Sequence, residues 1–193
     1  MSLPKELFDL QSGERKYLNK QERQSFFEAT LLEEAKVKYY CQLLYYTGCR
    51  LSEGLQICPD RLDYADKGVI FRTLKQGKDK HQKQINRFRF NELPSSYLNE
   101  IQGIYGILKK QGTDKRTELL FDFTDRTARS YIKQVMAKAD IEGVKATPRG
   151  LRHSMGVMLA LNKTPSNTIR KVLGHQAIQN TMIYLEVVED ERR

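Results

Sequence analysis

The sequence predicts a mainly helical chain with one small antiparallel sheet, an α+β class. Three observations carry this. Apolar residues recur at offsets of three and four through most of the chain. One stretch, about 55–90, switches to β-branched and aromatic runs around a polar, glycine-containing turn. Helix-start and helix-stop residues bracket the periodic segments.

The elements follow in order. Residues 1–17 are polar and read as loosely structured. Asn19 and Glu22 have the spacing of a capping box, which opens a helix from 20 to about 30. Residues 31–46 form a second helix, with Ala35, Tyr39, Leu43 and Tyr46 on one face, and Gly48 ends it. Residues 68–73 and 84–90 are strand-like, and the basic 74–81 stretch between them reads as a hairpin tip. After Pro94, Leu98, Ile101, Tyr105 and Leu108 make one helical stripe. Ala128, Tyr131, Ile132, Val135, Met136 and Ala139 make another, with Arg126, Arg129, Lys133 and Lys138 projecting off it. Residues 151–161 and 168–173 are further helices, Gly174 is a stop, and a last short helix carries Tyr184. No repeat or low-complexity linker divides the chain, so 18–193 reads as one domain.

The bulk properties narrow the function. The chain has 193 residues, 33 Lys and Arg against 24 Asp and Glu, and a net charge of +9. That balance favours a polyanion, most often nucleic acid, with a merely basic protein as an equal reading at this point. Cys41, Cys49 and Cys58 are odd in number, and His81, His153 and His175 show no metal-ligand spacing with them. A disulfide scaffold and a zinc site are therefore disfavoured, and a reduced, cytoplasmic protein is expected. No stretch is apolar enough to span a membrane, and the N-terminus lacks a secretory signal core.

Four separated segments carry the chemistry: Thr47-Gly-Cys-Arg-Leu-Ser-Glu53, Thr73-Leu-Lys75, Thr147-Pro-Arg-Gly-Leu-Arg-His-Ser154, and Leu173-Gly-His175 followed by Tyr184. Each has a plainer reading alone. Arg50 would be a surface cation, His175 a helix cap, Tyr184 a core tyrosine, and His153 a structural hydrogen-bonding residue. Taken together, and through the family they resemble, they imply phosphoryl transfer on DNA, which needs a nucleophile, cations for the phosphate oxygens and a proton for the leaving group. Arginine suits the oxygens because its planar fork donates two parallel hydrogen bonds.

In this order the segments resemble the tyrosine recombinase (phage integrase) family, from about residue 18 to the C-terminus. The resemblance implies the catalytic-domain fold of that family. It implies that Arg50 and Arg152 clamp the phosphate, that Lys75 (favoured over Lys78) protonates the departing 5′ oxygen, and that His175 assists by a hydrogen bond. Tyr184 would attack and become linked to the 3′ phosphate, with Glu53 bracing the site. One position departs from the family's commoner histidine: it holds Arg149, which cannot accept a proton, so its role would be electrostatic. Being near the C-terminus, Tyr184 is expected to be able to sit away from the other groups without DNA.

The function implied is site-specific recombination, such as integration of mobile DNA, with no cofactor, metal or ATP. The partner would be double-stranded DNA, contacted by Lys78, Arg126, Arg129 and Lys133, with self-association to a tetramer on DNA. No N-terminal core-binding domain is read in this chain. Two alternatives stay open: a catalytically silent DNA-binding protein on the same fold, and a topoisomerase-like enzyme that only relaxes DNA.

Overall fold

A computed structural model of the chain describes residues 4–73 and 87–191, the side chains of 189–191 excepted. Lys75, Lys78 and the expected hairpin tip lie outside the described residues. The helices are α1 (Lys20–Thr30), α2 (Ala35–Thr47), α3 (Leu51–Gly54), α4 (Ser95–Tyr105), α5 (Ile107–Gln111), α6 (Asp125–Lys138), α7 (Pro148–Leu161), α8 (Ser166–Leu173) and α9 (Gln179–Glu191). Strands β1 (Leu62–Asp63), β2 (Gly68–Thr73) and β3 (Arg87–Glu92) form an antiparallel sheet in the order β1-β2-β3. The α+β class is therefore as the sequence predicts.

Helix α1 begins as its capping box dictates: Asn19 Oδ1 accepts from the Glu22 amide and Glu22 Oε2 from the Asn19 amide, both at 2.8 Å. Helix α2 begins at Ala35, not at Leu31. Leu31 is the C-cap of α1, and it and Leu32 are exposed on the connecting turn, so apolar character there marks a turn and not a helix face. Val37, Tyr40, Cys41, Leu43 and Leu44 are all buried on α2, which makes it the central helix of the larger core. The stripe expected to run from Leu98 to Leu108 breaks at Gly106, whose left-handed backbone (φ 60°) separates α4 from α5. The helical phase restarts there, so Ile107 is buried and Leu108 is 51% exposed.

The buried side chains form two clusters. The larger joins α1, α2, α4, α6 and the sheet. The smaller joins Met155, Val157 and Ala160 of α7 to Ile169 and Leu173 of α8 and to Tyr184, Val187 and Val188 of α9. Residues 4–17, read as loosely structured, form turns and an isolated Phe8–Arg15 bridge, and they bury Leu7 and Tyr17 in the smaller cluster. Helix α7 belongs to both clusters, through Leu151 on one side and Met155 on the other. The seam between the two clusters is where the candidate site lies.

Candidate active site

Three helix ends and one helix face build this site. At the end of α2, Gly48 is left-handed (φ 58°) and its amide donates to Leu44 O. At the end of α8, Gly174 is also left-handed (φ 66°). Its amide donates to Lys171 O and the His175 amide to Arg170 O, the two bonds of a Schellman cap. These turns leave carbonyl oxygens aimed at arginines. Arg152 Nη1 donates to Gly48 O at 2.7 Å and Nη2 to Leu173 O at 2.6 Å. Arg50 Nη2 reaches Gly174 O at 3.4 Å. The carbonyl end of a helix carries partial negative charge, so both cations sit where the backbone field favours them. Burial, then the neighbouring Arg50 charge, brings the Arg152 pKa down to about 10, which leaves it charged at neutral pH.

Arg50 caps the short helix α3, and Glu53 is its third residue. The Glu53 side chain, 0% exposed, accepts from the Arg50 amide at 2.9 Å and from Arg50 Nη1 at 2.8 Å. Arg89 closes on the same carboxylate with both terminal nitrogens, at 3.0 and 2.6 Å, while its Nε donates to Val172 O. Burial alone would raise the Glu53 pKa. The hydrogen bonds and charge of Arg89, then of Arg50, outweigh it and hold the carboxyl below its ordinary value.

Arg89 escaped the sequence reading. In β3, Phe88 and Phe90 alternate with Arg87 and Arg89, and a half-buried strand would ordinarily turn its aromatics inward. The register does the reverse. Phe88 and Phe90 are 54% and 42% exposed, while Arg89, paired with Phe71, and Asn91 face inward. The guanidinium of Arg89 stacks over the Phe71 ring at 4.7 Å. A buried carboxylate at Glu53 demands cations, and two inward polar residues on β3 are the cost of supplying one.

Helix α7 starts at Pro148, earlier than the 151 expected, because Thr147 caps it by accepting from the Gly150 amide. Arg149, Arg152 and His153 therefore lie on one face of its first turns. Arg149 is exposed, and its Nε donates to His153 Nε2 at 3.1 Å. His153 Nδ1 lies 3.0 Å from Tyr184 Oη. Tyr184 is 1% exposed and stacks on the His175 ring at 6.1 Å and 15°. Its ring lies flat against α7 at Gly156, where a Cβ would come within 2.5 Å of it. His175 Nδ1 is 2.9 Å from Thr181 Oγ1, which leaves Nε2 without a partner among the described residues.

Burial pushes the Tyr184 phenol up to about 12, against the opposing pull of Arg152, Arg149 and Arg50. Burial brings both His153 and His175 down to about 3, reinforced by Arg149 and Arg152 at His153 and by Arg152 and Arg50 at His175. Both imidazoles are thus neutral at neutral pH. A cleft of about 820 Å³ is bordered by Arg50, Arg149, Arg152, His153, His175 and Tyr184. Five of the six predicted catalytic residues meet there; Lys75, the sixth, lies outside the described residues. Tyr184 is seated with the others, not displaced. His153, taken from sequence for a structural residue, touches the phenol oxygen; its position one turn after Arg149 was the available signal. Arg129 borders the cleft too, tied to Asp125 at 2.7 Å, while Arg126 and Lys133 are exposed on the same helix. Among the described residues no cluster of His, Cys, Asp and Glu could hold a metal ion.

Known proteins resemble this chain in sequence or in fold. The tyrosine recombinase XerC of Oceanobacillus iheyensis is 28% identical over 159 residues, covering 79% of this chain and 49% of that protein. The chain thus spans about half the length of that relative. The crystal structure of XerA recombinase superposes with a TM-score of 0.70 at 21% identity, over 95% of this chain and 65% of that one. That of XerH site-specific recombinase bound to its difH substrate gives 0.67 at 19% identity, over 92% and 52%. The model of the phage integrase family matches residues 16–191. The chain belongs to the phage integrase family.

Proposed function

We propose that this chain cuts and rejoins double-stranded DNA as the catalytic part of a site-specific recombinase. The observation that carries the reading is the convergence of Arg50, Arg152, His175 and Tyr184 on one cleft. A phosphodiester seated there would place its non-bridging oxygens on Arg50 and Arg152, with His175 Nε2–H as a further donor. Tyr184 Oη attacks phosphorus, the P–O5′ bond breaks, and the phenol proton passes to water in the cleft. The departing 5′ oxygen takes a proton, for which Lys75 is the proposed donor. The product is a 3′-phosphotyrosyl link and a 5′ hydroxyl. Reversal by the 5′ hydroxyl of another strand restores the phosphodiester, so bond energy is conserved without ATP.

The Tn1549 transposon integrase, which shares the fold, is in complex with transposon right end DNA in its structure, which supports DNA as the partner. Exchange between two duplexes requires each of their strands to be cut, so the reading implies a tetramer on DNA. Lys78, Arg126, Arg129 and Lys133 are proposed backbone contacts. The cysteines Cys41, Cys49 and Cys58 are free and buried, which supports a reduced setting, and a cytoplasmic location, nucleoid-associated in a bacterial source, is proposed with it. No helix among the described residues is long and apolar enough to cross a membrane.

The test uses duplexes selected by binding from a random pool, then nicked so that cleavage sheds a short 5′ fragment. The protein should become covalently attached, and peptide mass spectrometry should find the nucleotide on Tyr184. Tyr184→Phe should keep binding and lose the adduct. An adduct that persists in Tyr184→Phe overturns the assignment.

A further inference from the structure

We propose that His153 is a further catalytic residue, acting as a fixed hydrogen-bond donor to the nucleophilic oxygen of Tyr184, with its tautomer locked by Arg149. The proposal rests on Tyr184 being the nucleophile. It adds a route by which Arg149 reaches that nucleophile without touching it.

The argument starts from donor and acceptor capacity. A guanidinium has five N–H donors and no acceptor. Arg149 Nε points at His153 Nε2 from 3.1 Å, so Nε2 must accept and cannot carry a hydrogen. In a neutral imidazole the hydrogen is then on Nδ1. Nδ1 faces Tyr184 Oη at 3.0 Å, so it donates and the phenol oxygen accepts. Tyr184 is left with its own hydrogen directed elsewhere, and the cleft is the open side.

His153 is held to this role. It is buried, with Arg149, Arg152 and Lys16 as the charged groups that keep it from protonating. A cavity between Lys5, Glu6, Lys16 and Arg149 runs behind the imidazole, so Glu6 is the acidic side chain on that side. Around the phenol stand Arg50, Arg149, Arg152 and His175. The Nδ1 of His153 is occupied by its hydrogen and cannot take the phenol proton. Its contribution comes as the phenol ionises. The neutral bond Nδ1–H···O becomes charge-assisted, which is the stronger kind, and Arg149 polarises the ring from its far side. Atoms balance as before: the phenol proton leaves through the cleft, and His153 keeps its own hydrogen throughout. Arg149 is in these terms a positioning residue.

The test has a readout independent of DNA. In protein labelled with 15N-histidine, the His153 ring should report the neutral Nδ1–H form at pH 7. Arg149 is exposed, so Arg149→Gln should leave the fold intact. It should release the tautomer, giving a mixture or the Nε2–H form, while Arg149→Lys restores part of the Nδ1–H signal. On a nicked duplex, Arg149→Gln should slow adduct formation about tenfold to a hundredfold, the range one charge-assisted hydrogen bond supplies. DNA affinity should change far less, and Arg149→Lys should recover part of the rate. A ring that is Nε2–H or cationic in the unmodified protein overturns the proposal, even if the Tyr184 adduct forms normally. An Arg149→Gln protein with an unchanged tautomer and rate overturns it as well. The locked tautomer without any Tyr184 adduct would instead overturn the recombinase reading on which the proposal rests.

Discussion

Gly156→Ala should uncouple activity from stability. A Cβ at this position would lie 2.5 Å from Tyr184 Cζ and 2.6 and 2.7 Å from its two Cε atoms. Carbon atoms rest at about 3.5–4.0 Å, so the ring must retreat by roughly 1 Å. Helix α7 cannot easily give way, because its side chains pack into both buried clusters. The movement therefore falls on α9 and its tyrosine. Oη sits 3.0 Å from His153 Nδ1, and a retreat of that size takes it out of hydrogen-bond range. Overpacking costs about 1–3 kcal/mol, and replacing a helical glycine by alanine returns about 1 kcal/mol. The net loss of stability is then roughly 0–2 kcal/mol. A nucleophile misplaced by about 1 Å can lose about a hundredfold in rate. Urea denaturation beside adduct formation on a nicked duplex measures both. An alanine variant that forms the adduct at the unmodified rate would refute the reasoning, since the phenol position would then not matter at this scale.

Removing Arg89 should be costly. Arg89→Met leaves the buried Glu53 carboxylate with Arg50 as its single ion-pair partner among the described residues, and the loss should be about 3–5 kcal/mol in urea denaturation; a change under about 1 kcal/mol contradicts the role given to that pair. Acid should destabilise the fold in two overlapping windows. His153 and His175 have folded pKa values near 3 against an unfolded value of about 6.5, so the unfolded state binds more protons between those limits. Stability from this source is complete above about 6.5 and is lost as pH falls toward 3. Glu53, held below its ordinary value, adds stability present above about 4.5 that is lost as pH falls further. The slope of stability against pH near 5 should approach about two protons, and a flat profile from 7 to 5 speaks against buried neutral imidazoles. Affinity for duplex DNA should fall steeply with salt, with a log–log slope of roughly 0.9 per phosphate contacted. Arg126→Ala should lower that slope by about 1 if its side chain meets the backbone; an unchanged slope removes it from the interface.

The sequence showed most clearly what local chemistry decides. The Asn19–Glu22 box, the stops at Gly48 and Gly174 and the stripe from Ala128 to Met136 depend on neighbours a turn away, and each appears where the spacing puts it. Three of the four separated motifs pointed to residues that the fold brings to one cleft, the fourth, at Lys75, lying outside the described residues. What escaped was set by tertiary demand. Arg89 faces inward because Glu53 needs a second cation, and that carboxylate is 36 positions away in the chain. Leu108 left its stripe because one left-handed glycine at 106 shifted the helical phase. His153 looked structural because its place one turn after Arg149 does not by itself show which ring it will touch thirty-one positions later.

The acceptors that hold Arg50 and Arg152 against α2 and α8 are mostly main-chain oxygens, at positions 48, 173 and 174. Such acceptors are indifferent to side-chain identity: no substitution at those positions deletes an oxygen. Mutational risk is thereby concentrated in backbone shape, at the two left-handed glycines. A side chain on Gly48 would be strained at φ 58° and would press on Met155 at 2.9 Å; one on Gly174, at φ 66°, would press on Arg89 at 2.9 Å. Around these two pivots the neighbouring sequence can drift while the cationic clamp keeps its aim.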